Sequence, residues 1–95
     1  MSENLFDLHG KTALITGGNG GIGLGIAKGF AQSGANVAIA GRNTVKTEEV
    51  VANLSEQNTS AIGIEVDVAD EKSVDNMITN TLENFGQIDI LVNNA

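Results

Sequence analysis

The chain has no cysteine, no tryptophan and no tyrosine, and only three phenylalanines among its 95 residues. Without cysteine there is no disulfide framework and no thiolate metal site. Without large aromatics the core has to be assembled from isoleucine, valine, leucine and alanine. Cations are also few: Lys11, Lys28, Arg42, Lys46 and Lys72 stand scattered against twelve acids, for a net charge of −7. No basic face exists to neutralise a phosphate backbone, which argues against a nucleic-acid partner. The single histidine, His9, cannot build a metal cluster and reads as a surface group. No apolar run is long enough to span a bilayer. The first ten residues lack the basic and then apolar blocks of a signal peptide. The sequence therefore predicts no membrane partner and a cytoplasmic location.

What the chain has in excess is glycine. Of twelve glycines, six fall between Gly17 and Gly25. Glycine alone adopts positive φ cheaply and lets another group approach the backbone closely, so such a cluster marks a special turn. The remainder, 41% hydrophobic and 18% charged, suits one small globular domain.

Four short apolar, β-prone runs are spaced along the chain: Thr12–Thr16, Asn36–Ala40, Ala61–Val68 and Ile88–Val92. Three helical segments lie between them. The first, from Gly21 to Ser33, sets Ile22, Ile26 and Phe30 four residues apart on one stripe and is followed by Gly34. The second, from Thr44 to Ser55, carries Val50, Val51 and Leu54 on one side and turns Glu48 and Glu49 to water. The third begins at Asp70 as N-cap, presents Val74, Met77, Ile78, Leu82 and Phe85, and stops at Gly86. Alternation of strand and helix predicts a βαβ series with a parallel sheet covered on both faces. Right-handed crossovers then favour the strand order 3-2-1-4.

The turn after the first strand contains Gly18-x-Gly20-x-x-Gly23 at a strand-to-helix junction. There a helix presents unpaired N–H groups and a positive dipole end, and glycines let a pyrophosphate lie against the backbone. The competing reading is a tight turn that binds nothing; six glycines in nine residues carry an entropic cost that a plain turn does not require. The triplet Gly10-Lys11-Thr12 mimics the end of a nucleotide-hydrolase phosphate loop. That motif needs glycine where Leu5 stands, and here the triplet precedes a strand instead of opening a helix.

Thr16-Gly17-x-x-x-Gly21-Ile22-Gly23, Asp67-Val68 and Asp89-Ile-Leu-Val-Asn93-Asn94-Ala95 together resemble the cofactor motifs of the short-chain dehydrogenase/reductase family. The resemblance runs from about Leu8 to Ala95 and looks nearest to gluconate-type sugar-acid dehydrogenases and 3-oxoacyl-carrier-protein reductases. It implies a Rossmann-type α/β, doubly wound parallel sheet, of which residues 1–95 would be a partial NAD(P)-binding domain truncated after the fourth strand. It also implies that Gly17, Asn19, Gly20, Gly21, Ile22 and Gly23 form the pyrophosphate turn, braced by Thr16 and Asn19. By the same resemblance Asp67 accepts from the adenine amino group and the Val68 backbone serves the ring edge. Asn94 lines the ribose, Asn93 ties the fourth strand to its neighbours, and Ala95 closes the motif. Each has a plainer alternative: Asn19 as a turn residue, Asp67 as a strand-end acid, Asn93 as a purely structural group.

An NAD enzyme places Asp or Glu about twenty residues beyond the glycine turn, on the ribose hydroxyls. Here that position is Gly41, followed by Arg42 and Asn43. A guanidinium grips a 2′-phosphate through paired hydrogen bonds, so NADP(H) is favoured over NAD(H), the alternative being a solvated Arg42. The resemblance further implies hydride transfer between nicotinamide and a carbonyl or alcohol substrate by a Ser, a Tyr and a Lys, in a homo-tetramer. With no tyrosine in the chain, the catalytic acid would lie in a longer polypeptide. The alternative is a stand-alone nucleotide-binding module or sensor of the same fold.

Overall fold

A computed structural model describes residues 7–17, 21–56 and 60–94. The elements run β1 (Thr12–Thr16), α1 (Gly21–Gln32), β2 (Asn36–Gly41), α2 (Thr44–Ser55), β3 (Ala61–Glu65), α3 (Glu71–Phe85) and β4 (Ile90–Asn93). The four strands form one parallel sheet in the order β3-β2-β1-β4, as the sequence predicts. All of β1 is buried, and so is β2 after its first residue, which explains their unbroken apolar text: each has a neighbour on both sides and helices on both faces.

Two apolar layers result. On one face Leu14, Ala38, Ala40, Ile64 and Val66 pack with Met77 of α3. On the other Ile15, Val37 and Ile39 pack with Ala27 and Ala31 of α1 and Leu54 of α2. Burial of each larger aliphatic side chain stabilises by about 1.5–3 kcal/mol, so these layers carry the fold.

Two helices sit differently from expectation. In α1 the buried residues are Gly23, Ala27 and Ala31; Ile22 is 76% exposed, and Ile26 and Phe30 only flank the layer. The helix is rotated by one position because small residues let it approach the sheet closely, whereas the larger side chains cover its margin. In α3 the inward pair is Met77 and Thr81, while Ile78 and Leu82 are exposed. Thr81 is buried without penalty because its hydroxyl donates to the Met77 carbonyl at 2.8 Å.

The ends of α3 follow their sequence signals, and α2 has a cap of its own. Asn43 caps α2 by accepting from Lys46 N–H at 3.1 Å, Asp70 caps α3 by accepting from Lys72 N–H at 3.0 Å, and Gly86 ends α3 in the left-handed region. β3 is shorter than expected: after Val66 N–H donates to Gly41 O at 3.1 Å, the chain turns at Asp67. β4 starts later, at Ile90; just ahead of it Asp89 N–H donates to Thr12 O at 2.9 Å, while its Oδ2 accepts from Thr12 N–H at 2.8 Å and from Gln87 Nε2 at 2.6 Å. Ahead of β1, Leu8 N–H donates to Ser33 O at 2.7 Å, and the His9 ring lies over Gly34. Asp7 accepts from His9 N–H at 3.0 Å and meets its ring nitrogen at 2.5 Å, contacts that hold the Asp7 carboxyl below the usual carboxylate range.

Candidate functional site

The carboxyl ends of β1, β2 and β3 converge where parallel α/β sheets bind ligands. Thr16, the last residue of β1, is buried, and its hydroxyl is shared across the edge of the sheet. Oγ1 donates to Asn93 Oδ1 at 3.1 Å or Val92 O at 3.3 Å and accepts from Asn94 N–H at 3.2 Å. Gly17 follows at φ 72°, a conformation that needs glycine, and its N–H donates to Ala40 O at 2.8 Å. β1 thus delivers its turn already fastened to β2 and β4.

Where the chain resumes, α1 opens with Gly21 and has no acidic residue in its first turn, so its positive dipole end is not neutralised from within. Gly23 makes the close contact. A Cβ there would overlap the Gly17 carbonyl oxygen and lie 2.7 Å from Asn94 Nδ2. The first turn of α1, the glycine turn and the end of β4 therefore meet at one point, with no room for a side chain. The contact fits the part of a dinucleotide cradle that brings helix and strand together. Gly18, Asn19 and Gly20, the middle of the predicted turn, lie outside the described residues, as does Ala95.

Beside this turn opens a cavity of about 400 Å³. Its floor is the strand ends Thr16, Gly17, Ala40, Gly41 and Val66, and its walls are Arg42, Asn43, Lys46 and Val68. Val68 is 52% exposed, an apolar side chain offered to the opening. Among the described residues no carboxylate lines the cavity, whereas two of the chain's five cations do. Lys46 has no signal in the sequence; the cap at Asn43 brings it to the cavity by starting α2 there. Asn43, expected to touch cofactor, spends its Oδ1 on that cap.

Asp67 and Val68 part company. Asp67 faces a neighbouring cleft of about 530 Å³ that also includes Arg42, Glu65 and Asp70. Its Oδ1 accepts from Ala69 N–H at 3.0 Å and its N–H donates to Ser73 Oγ at 2.8 Å, so the residue fixes the turn into α3. Ile22 stands exposed beside the glycine turn, and Asn93 joins β4 to β1 through Thr16. Among the described residues no group of three or more His, Cys, Asp or Glu could hold a metal ion, and no helix is long and apolar enough to cross a membrane.

With this geometry the chain matches the short chain dehydrogenase family over residues 11–95, and it belongs to that family. An oxidoreductase of Thermotoga maritima is 44% identical over 88 residues, covering 93% of this chain and 34% of the relative. The 2-dehydro-3-deoxy-D-gluconate 5-dehydrogenase of Formosa agariphila is 36% identical over 96 residues, covering all of this chain and 36% of the enzyme. Among solved structures, hydroxysteroid dehydrogenase of Escherichia coli superposes with a TM-score of 0.94 at 33% identity over the whole chain and 40% of that protein. The 3-ketoacyl-(acyl-carrier-protein) reductase of Brucella melitensis, solved with NADH, gives 0.82 at 39% identity over 88% of this chain and 33% of that protein. The chain thus spans roughly a third of the length of its curated relatives.

Proposed function

We propose that residues 1–95 are the N-terminal, cofactor-binding part of an NAD(P)(H)-dependent oxidoreductase. In the longer polypeptide a hydride passes between nicotinamide and a carbonyl or alcohol carbon of a small-molecule substrate. The dinucleotide supplies the hydride chemistry; this chain's residues bind and orient its adenosine half. The pyrophosphate lies on the glycine turn and the start of α1, including Gly17, Asn19, Gly20, Gly21, Ile22 and Gly23. Adenosine occupies the cavity beside Val68, with Asp67 at the adenine and Asn93, Asn94 and Ala95 on the ribose side.

NADP(H) is preferred over NAD(H), and one observation carries this reading: among the described residues the cavity at the end of β2 is lined by Arg42 and Lys46 and by no carboxylate. A 2′-phosphate there meets two cations and nothing that repels it. The NADH in the Brucella neighbour supports the dinucleotide class but not the phosphate. The acid, base and carbonyl-polarising groups of the family belong to the part of the longer polypeptide beyond Ala95. A cytoplasmic location and a homo-tetramer of that polypeptide complete the proposal, and both rest on the sequence alone. The test is calorimetric titration of the chain with NADP⁺ and NAD⁺. Tighter binding of NADP⁺ supports the reading; equal binding removes the phosphate preference.

A further inference from the structure

Arg42 forms part of the wall between two openings of opposite character. Among the described residues the 400 Å³ cavity holds Lys46 and no acid, whereas the adjacent 530 Å³ cleft holds Glu65, Asp67 and Asp70 beside Lys72. Two of those three carboxylates are already engaged: Asp67 Oδ1 accepts from Ala69 N–H and Asp70 Oδ1 from Lys72 N–H, each at 3.0 Å. The Glu65 carboxylate makes no hydrogen bond or ion pair among the described residues, and neither does the Arg42 guanidinium. In the β2–β3 ladder Glu65 is the register partner of Gly41, the residue immediately before Arg42. What brings the two together is the cleft itself, whose lining includes both the free Glu65 carboxylate and the one guanidinium that faces both openings.

We propose that Glu65 is a specificity-determining residue that weakens the hold of Arg42 on a 2′-phosphate; the inference rests on the phosphate reading of Arg42 given above. A carboxylate in the acidic cleft competes with the phosphate for the same paired N–H donors. It also adds a negative charge to a cleft that Arg42 shares, an effect that salt screens over about 10 Å at 0.1 M. Both effects have one sign. They lower the preference for a 2′-phosphorylated adenosine and leave the 5′-phosphate, held at the glycine turn, untouched. Lys72, the other cation of the cleft, lies in the first turn of α3, where its N–H donates to the Asp70 cap.

The experiment titrates the whole chain calorimetrically with adenosine 2′,5′-bisphosphate and with adenosine 5′-monophosphate, and reads the ratio of the two affinities. Glu65→Gln should raise that ratio about twofold to fivefold, the range of one exposed charge interaction. Glu65→Asp, which keeps the charge, should stay near wild type, and the rise should shrink in high salt and vanish in an Arg42→Ala background. A purely structural role for Glu65 would change both affinities together and not their ratio. A ratio unmoved by Glu65→Gln but lowered by Arg42→Ala overturns the inference and leaves the Arg42 reading standing. A ratio unmoved by either substitution, or a folded wild-type chain that binds neither nucleotide, overturns both. A wild type without preference that gains one in Glu65→Gln supports the inference, since the carboxylate would then be masking Arg42.

Discussion

The carbonyl oxygen of Gly17 occupies the space that a Cβ on residue 23 would require. The far side of the same space is held by the side-chain amide of Asn94, with Nδ2 2.7 Å from that Cβ position. A backbone oxygen cannot swing aside as a flexible side chain can, so the glycine turn and the helix that follows it are locked at contact distance.

Gly23→Ala should therefore destabilise the chain by about 1–3 kcal/mol, the usual cost of forcing a methyl group into filled space, and should also open the turn. Urea titration gives the stability, and nucleotide titration should show affinity lost beyond what unfolding accounts for. Gly21 contrasts with it: a Cβ there meets nothing within 4 Å, and only its φ of 57° disfavours a side chain. Gly21→Asn, which tolerates left-handed backbone, should fold and melt close to wild type.

Arg42→Ala should weaken adenosine 2′,5′-bisphosphate by about 1.5–3 kcal/mol, roughly ten- to a hundredfold, and adenosine 5′-monophosphate by much less. Only the former offers a phosphate to the guanidinium. Lys46→Gln should act in the same direction with smaller effect, because an ammonium contacts phosphate as a point charge and not as a paired donor. Equal losses for the two nucleotides in Arg42→Ala would show that Arg42 does not read the phosphate.

The sequence made much of this legible, for definite reasons. β1 and β2 are inner strands, so their apolar runs needed no alternation to be recognised, and the caps at Asp70 and Gly86 announced α3 at both ends. The facing of α1 was not legible. A stripe of Ile22, Ile26 and Phe30 outweighs Gly23, Ala27 and Ala31 in hydrophobicity, yet only the small set lets the helix come down on the sheet beside Gly17. Lys46 and Glu65 escaped notice for another reason: neither belongs to a motif, and only the folded chain sets them with Arg42 around the two openings. Asn43, expected at the cofactor, lines the cavity, and its Oδ1 also caps α2, a role the sequence reading did not give it.

Thr16 carries a further prediction. Thr16→Val keeps the shape but removes a hydroxyl that donates to Asn93 or Val92 and accepts from Asn94 N–H. The loss should cost about 1–3 kcal/mol, mostly in the anchoring of β4, and Thr16→Ser should recover most of it. Hydrogen exchange of the Val92, Asn93 and Asn94 amides, faster in Thr16→Val than in Thr16→Ser, checks the assignment to β4.

At the opposite end of the strands Asp89 does structural work alone. Asp89→Ala strips the acceptor from the N–H of Thr12, a fully buried residue, and from Gln87, which also donates to the Gly10 carbonyl. A destabilisation of about 1–3 kcal/mol is expected by urea titration, with nucleotide affinity of the remaining folded chain unchanged. A loss of affinity without loss of stability would contradict the separation of the two ends.

The carboxyl edge of the sheet is a cofactor site only if a dinucleotide binds there. Amide chemical-shift mapping of the ¹⁵N-labelled chain with NADP⁺ tests this directly. The prediction is that shifts concentrate at Thr16, Gly17, Gly21–Gly23, Arg42, Lys46, Val68 and Asn94, while the opposite ends of the strands, Gly10–Thr12 and Gln87–Asp89, stay still. Shifts confined to those opposite ends, or none at millimolar NADP⁺ in a folded chain, would contradict the assignment of this edge of the sheet as the cofactor site.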